Sequence, residues 1–272
     1  RVVAFVQEHR LFHLPPLDLG MDAYPEGMRC FGAGTNWPAP LLDPSARGQF
    51  VVHPDPSAHP VAWAACFAIH EGVPGHFLQS AAFREAFGRG RAASPSAHVR
   101  APVRFLCVAD NVAFPRAYMR AMTNIEGWAV HAEELMRARG FHEGRDELFA
   151  HLAHAIRALR VIGDVGLHTR ALGTDDVVRT LMDEGGLTET AARGEADRYA
   201  RLPLQSATYF IGQRQFERLS AAALSARPQA TLADLHDWLF SEGPVPPAEI
   251  SPAGLTPWRG RAASPEAAGS PT

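Results

Sequence analysis

The sequence has no apolar run approaching the ~20 residues a membrane-spanning helix needs, so no membrane partner is expected. It has little cysteine. Cys30, Cys66 and Cys107 are odd in number and far apart, which argues against a disulfide framework. No Cys-x-x-Cys pair is present as a metal motif. Cys66 and Cys107 sit among apolar residues and are expected in the core. Neither sign of charge dominates: the net charge is −3 over 272 residues, which argues against nucleic acid as the main partner. The chain has no initiating methionine and no visible targeting segment. The cytoplasm is therefore the default expectation, and the chain is expected either to lack an N-terminal portion or to be a shortened form. The length allows one domain with a substantial core or two small ones.

What is present centres on Ala68-Ile69-His70-Glu71-Gly72-Val73-Pro74-Gly75-His76-Phe77-Leu78-Gln79, at the end of the apolar run Val61–Phe67. A His followed by Glu begins the motif of many helical zinc hydrolases: the first His binds metal and the Glu activates water. The second His ordinarily follows four residues after the first, on the same helix face. His76 lies six residues after His70, which on a straight helix points the rings roughly 120° apart. Pro74 lacks an amide proton and its ring clashes with the carbonyl of residue 70, so the helix must open. Gly75 accepts the backbone angles that follow. Two residues looped out would return His76 to the place of an i+4 ligand. Alternatively the helix ends at Val73, and both histidines are incidental.

Residues 1–60 are rich in Pro and Gly. Val2 to Phe12 reads as a helix; Pro15, Pro16, Pro25, Pro38, Pro40 and Pro44 then forbid long regular elements. Gln49–His53 is the best candidate strand, ending at Pro54. It either lines a cleft or connects along the surface. A helix from about Val61, behind Pro60, runs into His70 and resumes after Gly75 to about Phe87. Gly88 to Pro95 reads as loop, and Val103–Val108 as a strand or a buried helix turn. A helix from Arg116 to Arg139 stops at Gly140. It places Glu126, Val130 and Glu133 on one face. A buried carboxylate there needs a metal or a salt bridge, to Arg120 or Arg137.

Arg145 to His168 reads as a long helix with apolar positions Leu148, Leu152, Ile156, Leu159 and Ile162. Asp164 can hold His168 one turn later, whereas His151 and His154 read as surface residues. Gly166 suggests close approach of another element. Thr174 is expected to cap a helix that stops at Gly185-Gly186, and Thr188 to open another that ends before Pro203. A third runs from Leu204 to Ser225, with Tyr209, Gln213 and Phe216 on one side and Arg214 near the same cleft. Thr231 and Asp234 form a capping box for a last helix through Phe240. Pro257 to Thr272 reads as a disordered tail. The expected division is a Pro/Gly-rich segment 1–60, a helical domain 61–250 and a tail 251–272.

Four motifs occur in order: His70-Glu71-Gly72-Val73-Pro74-Gly75-His76-x-Leu78-Gln79; Glu126-Gly127-Trp128-Ala129-Val130-His131-Ala132-Glu133; Arg160 through Thr169; and Arg198-Tyr199 with Leu202 through Gly212. Together they resemble the bacterial domain of unknown function 885 family, over roughly Phe50 to Pro247. That family is similar in outline to helical zinc metallopeptidases of the gluzincin type. Two positions depart from its pattern: Phe77 stands where a second His is usual, and His131 where Tyr is usual.

The resemblance implies a mainly α fold like the catalytic half of a helical zincin-like domain, with at most one or two short strands. It implies that this chain corresponds to the C-terminal half of the family domain. It implies Zn²⁺ held by His70, His76 and Glu126, with Glu133 the alternative third ligand. Glu71 would be the general base. Tyr209 would stabilise the oxyanion, with His168 the alternative. Asp164, Arg198, Gln205, Arg214 and His131 would support the ligands or bind substrate. The expected reaction is hydrolysis of a peptide or small-molecule amide. A non-haem iron oxygenase would use the same two His and one Glu, but has no use for Glu71. A non-catalytic binding remnant is the third reading. The faces left by an absent N-terminal half would be covered by another copy or polypeptide, or by residues 13–60.

Overall fold

The computed structural model describes residues 1–15, 17–27, 34–39, 47–55, 63–88 and 121–252. The readings placed on Val103–Val108, on Arg116–Arg120, on Cys30 and Cys107 and on the C-terminal tail lie outside them. The described fold is mainly α with one small sheet. Helix α1 covers Val2–Glu8, shorter than expected because Arg10 adopts positive φ and turns the chain. Strands β1 (Leu19–Ala23), β2 (Gly34–Trp37) and β3 (Gly48–Val52) follow. They form a three-stranded sheet in the order β1-β3-β2, where the sequence indicated one or two strands. β1 runs parallel to β3, pairing Met21 with Phe50, and β2 runs antiparallel to it, pairing Asn36 with Phe50.

Helix α2 (Ala64–Phe67) passes into a π-helical turn, Ala68–Gly72, and α3 begins at His76 and ends at Gly88. Then come α4 (Met122–Ala138), α5 (Arg145–His168), α6 (Thr174–Asp183), α7 (Glu189–Arg201), α8 (Thr208–Ala226) and α9 (Leu232–Ser241). Gly140, with φ +79, closes α4, the left-handed position glycine fills at helix ends. The residue capping α6 is Gly173 rather than Thr174; Asp176 accepts the Gly173 N–H at 3.0 Å. Thr188 caps α7 by accepting from Ala191, and Thr231 with Asp234 forms the full capping box of α9. Helix α8 starts at Thr208, four residues later than expected, because Leu204 has φ +64 and belongs to a turn.

The main core joins Val6, Leu11 and Phe12 to Trp128, Phe216, Leu235, Trp238 and Phe240. The N-terminal helix thus shares a core with the helices that follow residue 61. A second cluster joins Leu159 of α5 to Val177, Val178 and Leu181 of α6 and Ala192, Ala196 and Tyr199 of α7. The apolar stripe read on α5 is only partly core: Leu159 is buried, but Leu148 and Ile162 are exposed. The α5 face that turns inward is instead made of small residues and Asp164. Gly166 does meet another element, since a Cβ there would lie 2.6 Å from Leu172. No helix among the described residues is long and apolar enough to cross a membrane.

Two glycine contacts place the site. A Cβ on Gly127 would lie 2.5 Å from Gly212, and one on Gly212 would lie 2.1 Å from the Thr123 carbonyl oxygen. Helices α4 and α8 therefore cross backbone to backbone, which brings Glu126 and Tyr209 onto one cavity. The sheet is drawn in similarly: a Cβ on Gly34 would meet Val51 O at 2.7 Å, and one on Gly48 would meet the Phe77 ring at 2.8 Å. Phe77, one of the two departures from the family pattern, is thus a core residue under β3 and does not line the cavity.

Candidate metal centre

The helix opens where Pro74 requires it. His70 and Glu71 lie in the π turn, Val73–Gly75 leave the helix, and His76 starts α3. The Gly75 N–H donates to Ile69 O at 2.9 Å. A Cβ at Gly75 would lie 1.9 Å from His70 O, so no other residue fits. Trp128, fully buried, pins the loop by donating from Nε1 to Pro74 O at 3.0 Å. The rings of His70 and His76 come to 4.7 Å between centroids at 82°.

Both histidines face Glu126 of α4. Its Oε2 lies 3.5 Å from His70 Nε2 and 3.3 Å from His76 Nε2. Among the described residues, one ligand atom from each of these three side chains falls within 4.8 Å of the others. Ligands about 2.0–2.1 Å from a tetrahedral zinc lie roughly 3.3–3.4 Å apart, so the spacing at Glu126 fits such an ion. Glu126 Oε2 is buried and has no hydrogen-bond partner, a costly state for a carboxylate oxygen unless a cation meets it.

Glu133 stands behind His70 rather than beside Glu126. It meets His70 Nδ1 at 2.6 Å and accepts from Arg157 Nη2 at 2.7 Å. With the proton on Nδ1, Nε2 is left for a metal. The electrostatics agree. Burial disfavours the charged form of His70, but the adjacent Glu126 carboxylate and the hydrogen bond to Glu133 outweigh it and push its pKa up to about 9. Burial likewise works against the charge of Glu126, yet the two histidines hold it well below the usual carboxylate range. A cation that replaced the His70 proton would find both carboxylates ionised.

Glu71 is buried beside the pair. Its Oε2 accepts the backbone N–H of Asn36 in β2 at 2.9 Å. Glu71, His76, Glu126 and Tyr209 line a cavity of about 380 Å³, completed by Tyr24, Gly34 and Thr35. Residues from 13–60 therefore do cover one side of the site. Tyr209 lies 5.9 Å from His70, nearly parallel. Burial, followed by the Glu126 charge, pushes its phenol up to about 12, and Gln205 hydrogen-bonds it. It is thus a donor at neutral pH.

Behind Tyr209, Glu195 accepts from Arg160, Arg198 and Tyr199 at 2.9, 2.8 and 3.0 Å. Arg160 and Arg198 lie 5.1 and 6.0 Å from the Tyr209 ring centre. Asp164, fully buried, accepts the Leu204 N–H at 3.0 Å, anchoring the turn that delivers Gln205 and Tyr209. His168 contacts Tyr199 O at 3.0 Å and Asp164 at 3.5 Å, away from the cavity wall.

Besides His168, two further expected site residues lie elsewhere. Arg214 is on the solvent side of α8, paired with Glu217; five residues after Tyr209 it points roughly 140° away. His131 packs against Trp128, Phe216 and His236 in the aromatic core. It is likewise five residues after Glu126 and turned from it. Sequence reasoning did not find Tyr24, Thr35, Asn36, Arg157, Arg160 or Glu195. The first three arrive through sheet pairing, which leaves no local signal. Arg160 stood in the third motif, and its buried pairing with Glu195 was the missing clue.

The fold and site define a mainly helical protein with a candidate His/His/Glu metal centre at a broken helix. The chain belongs to the family described as "Bacterial protein of unknown function (DUF885)", whose model matches residues 1–251. Its fold is similar to the crystal structure of a candidate lipoprotein from Colwellia psychrerythraea, with TM-score 0.71 and 21% identity over 91% of this chain and 40% of that one. It is also similar to a candidate lipoprotein of unknown function from Shewanella oneidensis, with TM-score 0.68 and 20% identity over 90% of this chain and 42% of that one. The chain spans about two fifths of the length of these structures, and at such identities the likeness concerns the fold. No curated protein matches the chain.

Proposed function

We propose that the chain carries the centre of a zinc-dependent hydrolase acting on a peptide or other amide bond. One observation supports this most: His70, His76 and the unpartnered Glu126 Oε2 converge beside a buried carboxylate, Glu71, that is not part of the convergence but shares its cavity. Zinc held by the three would polarise a carbonyl and make water a better nucleophile. Glu71 takes the proton of the attacking water and passes it to the leaving amine. Its orientation is set by the Asn36 N–H, which occupies one oxygen and leaves the other for the proton. Tyr209 donates to the oxyanion of the tetrahedral intermediate. Gln205 and the turn anchored by Asp164 hold Tyr209 in place, and Glu133 with Arg157 holds the His70 tautomer.

The test is a product-resolved screen of a peptide and amide library with the full chain, with and without chelator. Zinc-dependent cleavage that vanishes in Glu71→Gln while zinc content stays near one per chain is the expected result. Iron as the metal acquired from unsupplemented medium, with oxygen uptake, would favour the oxygenase reading instead.

A further inference from the structure

The reaction proposed for the site leaves two arginines unused. Arg160 opens the third sequence motif and lies on α5; Arg198 opens the fourth and lies on α7. Glu195 joins them. Its carboxylate accepts from Arg160 Nε at 2.9 Å and Nη2 at 3.3 Å, from Arg198 Nη2 at 2.8 Å and from the Tyr199 hydroxyl at 3.0 Å. Tyr199 is fully buried in the second core cluster, so the network stands on packed side chains. Two guanidiniums share this one carboxylate, which leaves one positive charge over.

That charge lies against Tyr209. The Arg160 and Arg198 guanidiniums are 5.1 and 6.0 Å from its ring centre, within the range at which an aromatic ring attracts a cation. Tyr209 needs such support. It is the second residue of α8, at a helix end where the backbone makes fewest hydrogen bonds, and its ring turns about two torsions. Arg198 also reaches Gln205, but only at 3.5 Å. Arg160 is the nearer guanidinium and the one held to Glu195 by two bonds. A bidentate arginine of this kind is fixed in orientation as well as in place.

Resting on the hydrolase reading, we propose that Arg160 is a positioning residue: seated on Glu195, its guanidinium clamps the Tyr209 ring, so that the hydroxyl meets the oxyanion of the tetrahedral intermediate already oriented. The substitution that tests this strands no buried charge, because Glu195 keeps Arg198 and Tyr199 when Arg160 is removed.

The experiment uses the zinc-loaded full chain as wild type, Arg160→Met, Tyr209→Phe and the double variant, on the best-cleaved library substrate. Arg160→Met should lower kcat by about 10–10², with KM and zinc content little changed, since a displacement of about 1 Å costs on that order. In the Tyr209→Phe background the same change should cost nothing more, because residues acting as a unit are not additive. A comparable loss in both backgrounds would make Arg160 a mere structural link between α5 and α7 and overturn the proposal. A second measurement needs no substrate. The chain is labelled with carbon-13 at the two ε positions of its tyrosine rings, and the Tyr209 signals are identified by their loss in Tyr209→Phe. Slow ring flips give separate signals for the two ring edges, and fast flips merge them. Wild type should show them separate and Arg160→Met merged. Merged signals in the wild type would overturn the proposal even if Arg160→Met did not fold. Failure of the hydrolase reading has another signature: wild type would cleave nothing, while its Tyr209 ring is held and Arg160→Met frees it.

Discussion

In the α6–α7 pair, local signals and structure coincide. Thr188 caps α7, and Asp176 holds the start of α6. Val177, Val178, Leu181, Ala192 and Ala196 bury one face against Leu159 and Tyr199. Between Ala68 and His76 the local signals conflict. The helix widens into a π turn, breaks at Pro74, and buries two ionisable side chains, His70 and Glu71. Propensity and burial would forbid such a segment if it stood alone. It persists because distant residues fix it: Trp128 binds Pro74 O, Glu133 binds His70, and Asn36 binds Glu71. Sequences violate local rules mainly at functional sites and compensate elsewhere, and here the compensations can be named.

The largest effect that should sharpen this contrast is Gly75→Ala. Its Cβ would strike His70 O at 1.9 Å, so the turn cannot close. Metal analysis should show zinc lost altogether, with α6–α7 still helical by hydrogen exchange. Retained zinc would mean the break is not what brings His70 and His76 together.

Next in size is Tyr209→Phe. It removes a donor proposed to act in the transition state, so kcat should fall on the order of 10²–10³ with KM little changed. Steady-state kinetics on the best library substrate measures this. An unchanged kcat would leave oxyanion stabilisation to the metal alone.

Acid should also separate the two regions. Burial depresses the pKa of His131 to about 4 and of His236 to about 3. Both are neutral in the fold, while the unfolded chain protonates them near 6.5. Their contribution is therefore complete above about pH 6.5 and is lost as pH falls toward 4. His131 alone accounts for on the order of 3 kcal/mol. Hydrogen exchange at pH 5 should show loosening first around Trp128 and Phe216, before α6–α7. Simultaneous loss in both regions would contradict the assignment.

The smallest effect is the counterpart of the first. Gly194 is exposed within α7 and a Cβ there meets nothing within 4 Å. Gly194→Ala should stabilise the chain by roughly 0.5–1 kcal/mol, read as a raised denaturation midpoint with zinc binding unaltered. The same substitution would then act with opposite signs in the two regions.

This contrast also explains what the sequence could convey. Helix α5 has the bounds read from its sequence, Arg145–His168, and α9 has its capping box, because caps and periodicity are local. The loop between His70 and His76 was legible because Pro74 and Gly75 have strong backbone preferences. Strands β1 and β2 were not legible: they are short, have little buried apolar surface and are specified by pairing to β3. Tyr24 reaches the cavity, and Asn36 reaches Glu71, only through that pairing. Arg214 drew attention because it neighbours Gln213 in sequence, whereas helical geometry turns it to solvent. His131 drew attention as a histidine inside a motif, and only the packing of α4 against α8 and α9 shows it as core.

Zinc titration of the full chain, compared with Glu126→Ala and Glu71→Gln, tests the central claim most directly. The account predicts one tightly bound zinc in the wild type, its loss in Glu126→Ala and its retention in Glu71→Gln. A wild type without zinc, or a zinc that survives Glu126→Ala and is lost in Glu133→Ala, would contradict it.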